Sequence, residues 1–243
     1  MKRNIDFLIN PILCMIFFLM FASSCTKNDE SDHANTFTDA RDGHVYKTIT
    51  IGSQVWMAEN LKYLPSVVGS GTGSKSTPYY YIYGYIGIDV AGAKATFNYS
   101  TYGVLYNWPA AMSGDASSDG NPSHIQGVCP NGWHLPSDAE WTQLTTYLGN
   151  ASSAADRIKT TDTLYWNGSN TSSTNESGFT ALGGGVRYYD GKFHDVGYFE
   201  GWWSATETSD DLARSLGVFS YSNLIFKGSN SKEEGFYIRC VKD

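Results

Sequence analysis

One stretch constrains this fold more than any other: Cys129-Pro-Asn-Gly-Trp133-His134-Leu135-Pro136-Ser137-Asp138-Ala139-Glu140-Trp141. A small-residue turn at Pro130-Asn131-Gly132 leads into an apolar Trp-His-Leu, then a proline, then a helix start. Ser137 is placed to cap the first turn and Glu140, three residues on, to reach back to it, which is the pattern of a capping box. Asp138 and Glu140 also put negative charge at the positive end of the helix dipole. Trp141, Leu144 and Leu148 recur at helical spacing and Gly149 supplies the stop. The pattern predicts one amphipathic helix of about three turns. His134, between two large apolar residues, reads as a hydrogen-bonded core histidine.

The rest of the chain is built differently. Aromatic residues make up 15 % of it, charged residues only 17 %, and there are 25 glycines. Such a mixture suits short strands joined by tight turns better than long helices. At 243 residues the chain is long enough for one or two domains. Its formal net charge is −7. That surface does not attract nucleic acid or anionic lipid through general electrostatics.

The N-terminus reads as a targeting segment. Lys2 and Arg3 precede an almost continuously apolar run from Phe7 to Phe21, which ends in Ala22-Ser23-Ser24-Cys25. Positive charge, a short apolar run and small residues are the marks of a secretory signal over residues 1–24. A cysteine directly after the small residues resembles the lipobox of bacterial lipoproteins, with Ala22 where Leu is commoner. The resemblance implies cleavage before Cys25 and its acylation, and more than one acyl chain anchors stably. Removing residues 1–24 takes away Lys2, Arg3 and Asp6, a net +1, and leaves −8. Residues 25–36 are polar and charged, bury little apolar surface, and read as a disordered tether. Cys25-Thr-Lys-Asn-Asp-Glu30 also resembles the acidic export signal of Bacteroidetes surface lipoproteins.

The folded body is expected over residues 37–243. Val45–Ile51 alternates apolar and polar residues, and Gln54–Met57 follows the turn Gly52-Ser53; both read as strands. Asp42-Gly43 is a two-residue turn signal, as is Asp190-Gly191 between Val186–Tyr189 and Lys192-Phe193. Pro78–Tyr85 carries five tyrosines and reads as a strand whose alternate rings cover the core, or as a binding surface. Residues 153–159 suggest a short second helix. Further strands are expected at Gly201–Thr206, Leu212–Phe219 and Phe236–Val241, with a shorter one at Ile225-Phe226. With helices mainly in the first half and strands in the second, the class is α+β.

Six blocks in order carry a resemblance. The first is Asp39-x-Arg-Asp-Gly-x-x-Tyr46-x-Thr-x-x-Ile51-Gly-x-Gln-x-Trp56-Met-Ala-Glu-Asn60-Leu61. It is followed by Tyr102-Gly-Val-Leu-Tyr106-Asn-Trp108-Pro-Ala-Ala-Met112 and by the Cys129–Trp141 stretch. Asn175-Glu-Ser-Gly-Phe179, Trp202-Trp-Ser-Ala-Thr206 and Gly235-Phe-Tyr-Ile-Arg-Cys240 complete the series. Together they resemble the Fibrobacter succinogenes major paralogous domain, a family of largely secreted and lipid-anchored bacterial proteins. The resemblance implies a single C-type lectin-like domain with short helices and a twisted, mainly antiparallel sheet. It implies no established activity. Lectins of this fold often tie the helical region to the final strand by a disulfide. Cys129 and Cys240 are the two cysteines left in the exported body, either paired so or as two buried thiols.

Chemical motifs are sparse. Gly183-Gly184-Gly185 lacks the Lys-Ser/Thr of a phosphate loop. His33, His44, His124, His134 and His194 show no metal-ligand spacing, so no metal site is expected. There is no Gly-x-Ser-x-Gly elbow. The formylglycine-generating oxidases have a similar helix start but bind copper through a cysteine pair, of which only Cys240 has a counterpart here. The calcium triplets of C-type lectins are missing. Asp162-Thr163-Leu164 resembles a short O-glycosylation motif of exported Bacteroidetes proteins.

These readings converge on a lipid-anchored outer-membrane protein, with no cofactor and no catalysis, that binds a glycan or a surface protein through loops. The contact residues expected are Trp166, Asn167, Asn175, Glu176 and Trp202, whose indole faces, amides and carboxylate suit sugars. The rival readings are a structural or adaptor subunit of a surface appendage and an oxidase-like enzyme. If the anchor reading holds, the full chain takes up a palmitate label in cells and Cys25→Ala abolishes it. Undiminished labelling of Cys25→Ala refutes the anchor.

Overall fold

In the computed structural model, which describes residues 35–150, 152–168 and 172–243, the chain opens as a meander. Strands β1 (Thr36–Thr38), β2 (Val45–Ile51) and β3 (Gln54–Met57) pair antiparallel in that order. Thr36, expected in the tether, is thus the first strand residue; the signal segment, Cys25 and the tether up to residue 34 lie outside the described residues. Gly52-Ser53 forms the tight β2–β3 turn, with Gly52 at φ +64. The β1–β2 connection is longer than the Asp42-Gly43 signal implies, running over residues 39–44. Its shape is set by Asp39, whose buried carboxylate takes Arg41 Nε at 3.0 Å and Nη2 at 2.7 Å.

A helical region follows. β4 (Tyr80–Tyr81) pairs with β5 (Leu105–Tyr106), and α1 (Val90–Lys94) and α2 (Phe97–Tyr102) lie between them. The tyrosine stretch is therefore not one long strand. Tyr81 is fully buried, and Tyr79, Tyr80, Tyr83 and Tyr85 pack half-buried against the core. Next come α3 (Trp108–Met112), β6 (Trp133–His134), α4 (Asp138–Tyr147) and α5 (Ala154–Ile158). Helix α4 is the one expected. Ser137 Oγ accepts from Glu140 N at 3.2 Å, and Glu140 Oε2 accepts from Ser137 N at 3.0 Å, while Trp141, Leu144 and Leu148 are buried. Among the described residues the five helices fall between residues 90 and 158, with strands on both sides of them.

The last part is β-rich: β7 (Gly184–Arg187), β8 (Phe193–Val196), β9 (Phe199–Glu207), β10 (Leu212–Phe219), β11 (Ile225–Ser231) and β12 (Val241–Lys242). Beside the two-stranded β4-β5 sheet, one five-stranded sheet has the order β1-β2-β3-β12-β6 and another β11-β10-β9-β7-β8. Pairing is antiparallel except between β7 and β9. The class is α+β, with few short helices and mostly antiparallel sheets. β11 is longer than the Ile225-Phe226 piece expected. Phe236–Val241, expected as a strand, makes no continuous ladder because it changes partner at nearly every residue. Gly235 bridges Arg187, Phe236 bridges Tyr106, Tyr237 bridges Trp202, and Cys240 O accepts from Met57 N. That segment stitches the sheets together.

Alternation along the inner strands feeds two cores, because successive strand side chains point to opposite faces. Met57, Tyr106, Trp203 and Phe236 enter one, and Trp56, Leu105, Trp202 and Tyr237 the other. Both faces are covered, so these strands read as unbroken apolar runs. Cys129 and Cys240 are disulfide-bonded across 111 positions. Chain-entropy estimates for so long a loop are about 4.7 kcal/mol. Among the described residues no helix is long and apolar enough to cross a membrane.

His134 is a buried, doubly bonded core histidine, with Nε2 at 2.7 Å from Glu140 Oε1 and Nδ1 at 2.8 Å from Asp243 Oδ1. Burial alone would lower its pKa, but the carboxylates of Glu140 and Asp243 prevail and raise it above the ordinary 6.5. The folded state therefore holds a proton that the unfolded chain gives up. The resulting stability is complete below about pH 6.5 and is lost as pH rises through the folded value. The urea midpoint of the wild type should fall over that interval by more than that of His134→Gln, and parallel pH profiles for the two proteins refute the role assigned to His134.

Candidate functional site

The site begins with a side chain in the middle of the structure. Asn60, just after β3, is buried, and its amide makes four hydrogen bonds. Nδ2 donates to Tyr102 O at 2.9 Å and to Glu200 Oε1 at 2.7 Å. Oδ1 accepts from Trp202 Nε1 at 2.9 Å and from Arg239 Nε at 2.7 Å. Arg239 also donates to the carbonyls of Met57, Phe179 and Thr180 and lies 4.3 Å over the Phe179 ring. Glu200 accepts from the backbone N–H groups of Leu182 and Gly183. Burial pulls the guanidinium of Arg239 down to about 10, with Glu200 and Glu59 opposing. Burial pushes Glu200 up, opposed by Arg239 and by its hydrogen bonds. Two opposite charges are thus held in the interior through one amide, with their polar atoms bonded, as buried charges require.

Over this network lies a cleft of about 420 Å³, lined by Lys47, Ala58, Glu59, Lys62, Ser100, Thr101, Tyr165, Gly178, Thr180 and Leu182. The floor and the network share backbone: Thr180 O accepts from Arg239 and Leu182 N donates to Glu200. Glu59 Oε2 is 2.9 Å from Lys62 Nζ, and Oε1 accepts from Lys47 N at 3.2 Å. Burial would raise the Glu59 carboxyl, but the Lys62 ammonium and these bonds hold it below its ordinary value, so it is ionised at neutral pH. Lys62 is mostly buried and Lys47 is exposed. Tyr165 is half-buried, and Ser100, Thr101 and Thr180 bring hydroxyls to the walls. The cleft combines one aromatic side chain, one ion pair and several hydroxyls, a lining suited to a polar, hydroxyl-rich ligand.

The contact residues expected from sequence do not line this cleft. Trp166 is 2 % exposed and its Nε1 donates to Ala181 O at 3.0 Å. Trp202 is 0 % exposed and bonded to Asn60, and its neighbour Trp203 is buried as well. Neither Trp166 nor Trp202 offers a ring face to a sugar, because both rings fill the core. Asn175, at φ 48, spends its amide on Thr180, donating to Oγ1 at 3.0 Å and accepting from N at 2.9 Å. Glu176 is exposed and pairs with Arg157 at 3.0 Å. Asn167 is exposed, with its backbone N bonded to Gly197 O. Their chain neighbours Tyr165 and Thr180 are the ones at the cleft. The signal in the sequence was Glu59 and Lys62, two charges within and beside the mostly apolar Trp56-Met-Ala-Glu-Asn-Leu run. Asp162-Thr163-Leu164 sits on an exposed turn, where Asp162 Oδ1 accepts from Leu164 N at 2.9 Å. Among the described residues no group of three or more His, Cys, Asp or Glu converges as a metal site would.

The chain belongs to the Fibrobacter succinogenes major domain family, whose model matches residues 49–242. The match takes in the Asn60 network and all the cleft residues but Lys47. No curated protein and no solved structure was found to match the chain.

Replacing Asn60 by Ala strands Arg239 Nε, Trp202 Nε1 and Glu200 Oε1 in the interior. Each buried group left without a partner costs about 1–3 kcal/mol. Asn60→Ala should therefore lower the unfolding free energy by at least about 3 kcal/mol in chemical denaturation, against at most about 0.5 kcal/mol for the exposed Lys75→Ala. A loss below about 1 kcal/mol for Asn60→Ala rules out the central role given to that amide.

Proposed function

We propose that this protein is a non-enzymatic, lipid-anchored module of the bacterial outer membrane that binds a saccharide in the cleft formed by Glu59, Lys62, Thr101, Tyr165 and Thr180. The observation that carries the reading is the lining itself: an aromatic ring beside hydroxyls and an ion pair, over a floor hydrogen-bonded to the buried network. An aromatic face takes the apolar side of a sugar ring, and charged and hydroxyl groups take its hydroxyls. A floor so bonded favours binding because fewer groups must be ordered when the ligand arrives. A C-type lectin-like scaffold belongs to the same proposal, supported by the disulfide from the turn before α4 to the C-terminal segment. The anchor and the outer-membrane location rest on the residues around Cys25.

The rival readings have less support. The tyrosine stretch that favoured an adaptor turns its rings toward the core. Cys240, the one counterpart of the oxidase cysteine pair, is bonded to Cys129. A glycan array probed with the full chain in detergent should give saccharide hits that Tyr165→Ala and Thr101→Val lose and Asn167→Ala keeps. An array without hits, or hits indifferent to the two cleft variants, overturns the proposal.

A further inference from the structure

The charge of the cleft narrows the ligand, given that the cleft is the binding site. The chain is acidic, with 24 Asp and Glu against 17 Lys and Arg. The cleft runs against that balance: two lysines, Lys47 and Lys62, line it with a single acid, Glu59. Glu59 is committed, its Oε2 to Lys62 Nζ at 2.9 Å and its Oε1 to the backbone N of Lys47. Below the floor the carboxyl of Glu200 and the guanidinium of Arg239 are joined through Asn60. The Lys47 ammonium, exposed at the rim, has no hydrogen-bond or ion-pair partner among the described residues. Lys62 Nζ keeps two of its three donors after bonding Glu59, because an ammonium has three. The hydroxyls of Thr101 and Tyr165 are likewise without hydrogen-bond partners among the described residues.

We infer that the ligand is a saccharide carrying a carboxylate, a uronic-acid type of sugar, with its carboxylate at Lys47 and its ring against Tyr165. A neutral sugar would leave the Lys47 charge unused. An anion without a ring and hydroxyls would leave Tyr165 and Thr101 unused. An ammonium bonding a carboxylate makes a charge-assisted hydrogen bond, stronger than one between neutral groups. At the rim that attraction is screened by salt over about 8–10 Å.

Titration calorimetry of the full chain in detergent tests this, with a trisaccharide of uronic acid, the matching neutral trisaccharide, a sulfated trisaccharide and a short poly-glutamate peptide. The uronate should bind at least tenfold more tightly than the neutral sugar. Lys47→Ala should erase that difference, a loss of about 1.4 kcal/mol for each factor of ten. Lys47→Arg should keep most of it, and raising salt from 50 to 500 mM should weaken uronate binding in the wild type but not in Lys47→Ala. Equal binding of the neutral sugar, with no effect of Lys47→Ala, overturns the acidic ligand and leaves the saccharide cleft standing. Preference for the sulfated sugar or for the peptide overturns the carboxylate-sugar assignment. Binding of none of the four, in a protein whose thermal unfolding shows it folded, removes the inference along with the reading it rests on.

Discussion

The structure depends on how two opposite charges are kept in its interior. Glu200 and Arg239 are both fully buried. Left alone, each would carry a desolvation cost of several kcal/mol. The amide of Asn60 resolves this by donating to one and accepting from the other, while backbone groups take what remains. The arrangement is specific because its members come from five separate parts of the chain. Asn60 follows β3, Tyr102 ends α2, Phe179 and Leu182 lie in the loop before β7, Glu200 and Trp202 stand on β9, and Arg239 is in the C-terminal segment. A network that is satisfied in only one arrangement penalises every other packing of the same segments.

Around it the aromatic residues provide bulk. Trp56, Trp141, Phe179 and Trp202 lie with ring centroids 4.6 to 6.1 Å apart, within the range in which tilted and edge-on pairs attract. Arg239 stands over two of those rings, at 4.3 Å from Phe179 and 5.9 Å from Trp202. A guanidinium can accept this position because it is weakly hydrated and stacks on π faces. The blocks that resemble the family are therefore a set of side chains that meet in space. Their spacing in sequence reflects the loops that bring each to the centre.

This explains what could be read in advance. Helix α4 was legible because its cap is local: Ser137 and Glu140 are three residues apart, and the apolar stripe follows at once. β10 and the β2–β3 turn were legible for the same reason. Helices α1, α2 and α3 were not, since each has only five or six residues, too few for periodicity to register. In the structure Asp89, Thr96 and Asn107 cap them, each side chain accepting from a backbone N–H of the first turn. The C-terminal segment read as a strand because its residues are β-formers, but its partners are scattered over the whole fold. Trp202 read as a sugar contact because a neighbouring pair of tryptophans on one strand ordinarily leaves one outside. Here both faces of β9 are covered, a fact about layers that no local window holds.

The cleft was hidden for a related reason. Its residues come from β2, the segment after β3, α2 and the two loops around Tyr165 and Thr180, so they share no spacing. What unites them is the network beneath. Thr180 and Leu182 are held in place because their backbone groups hydrogen-bond Arg239 and Glu200. Glu59 and Lys62 bracket Asn60 in sequence and pair with each other in the lining of the cleft, while the Asn60 amide turns inward. The same buried demand for hydrogen bonds that holds the sheets together thus leaves a ring of polar groups facing solvent. Thr180 and Leu182 are positioned by the core, and Glu59, Lys62 and Lys47 by bonds to one another. Loops of different length or sequence elsewhere on the rim can change around such a floor without disturbing it, which is how one scaffold comes to present different surfaces.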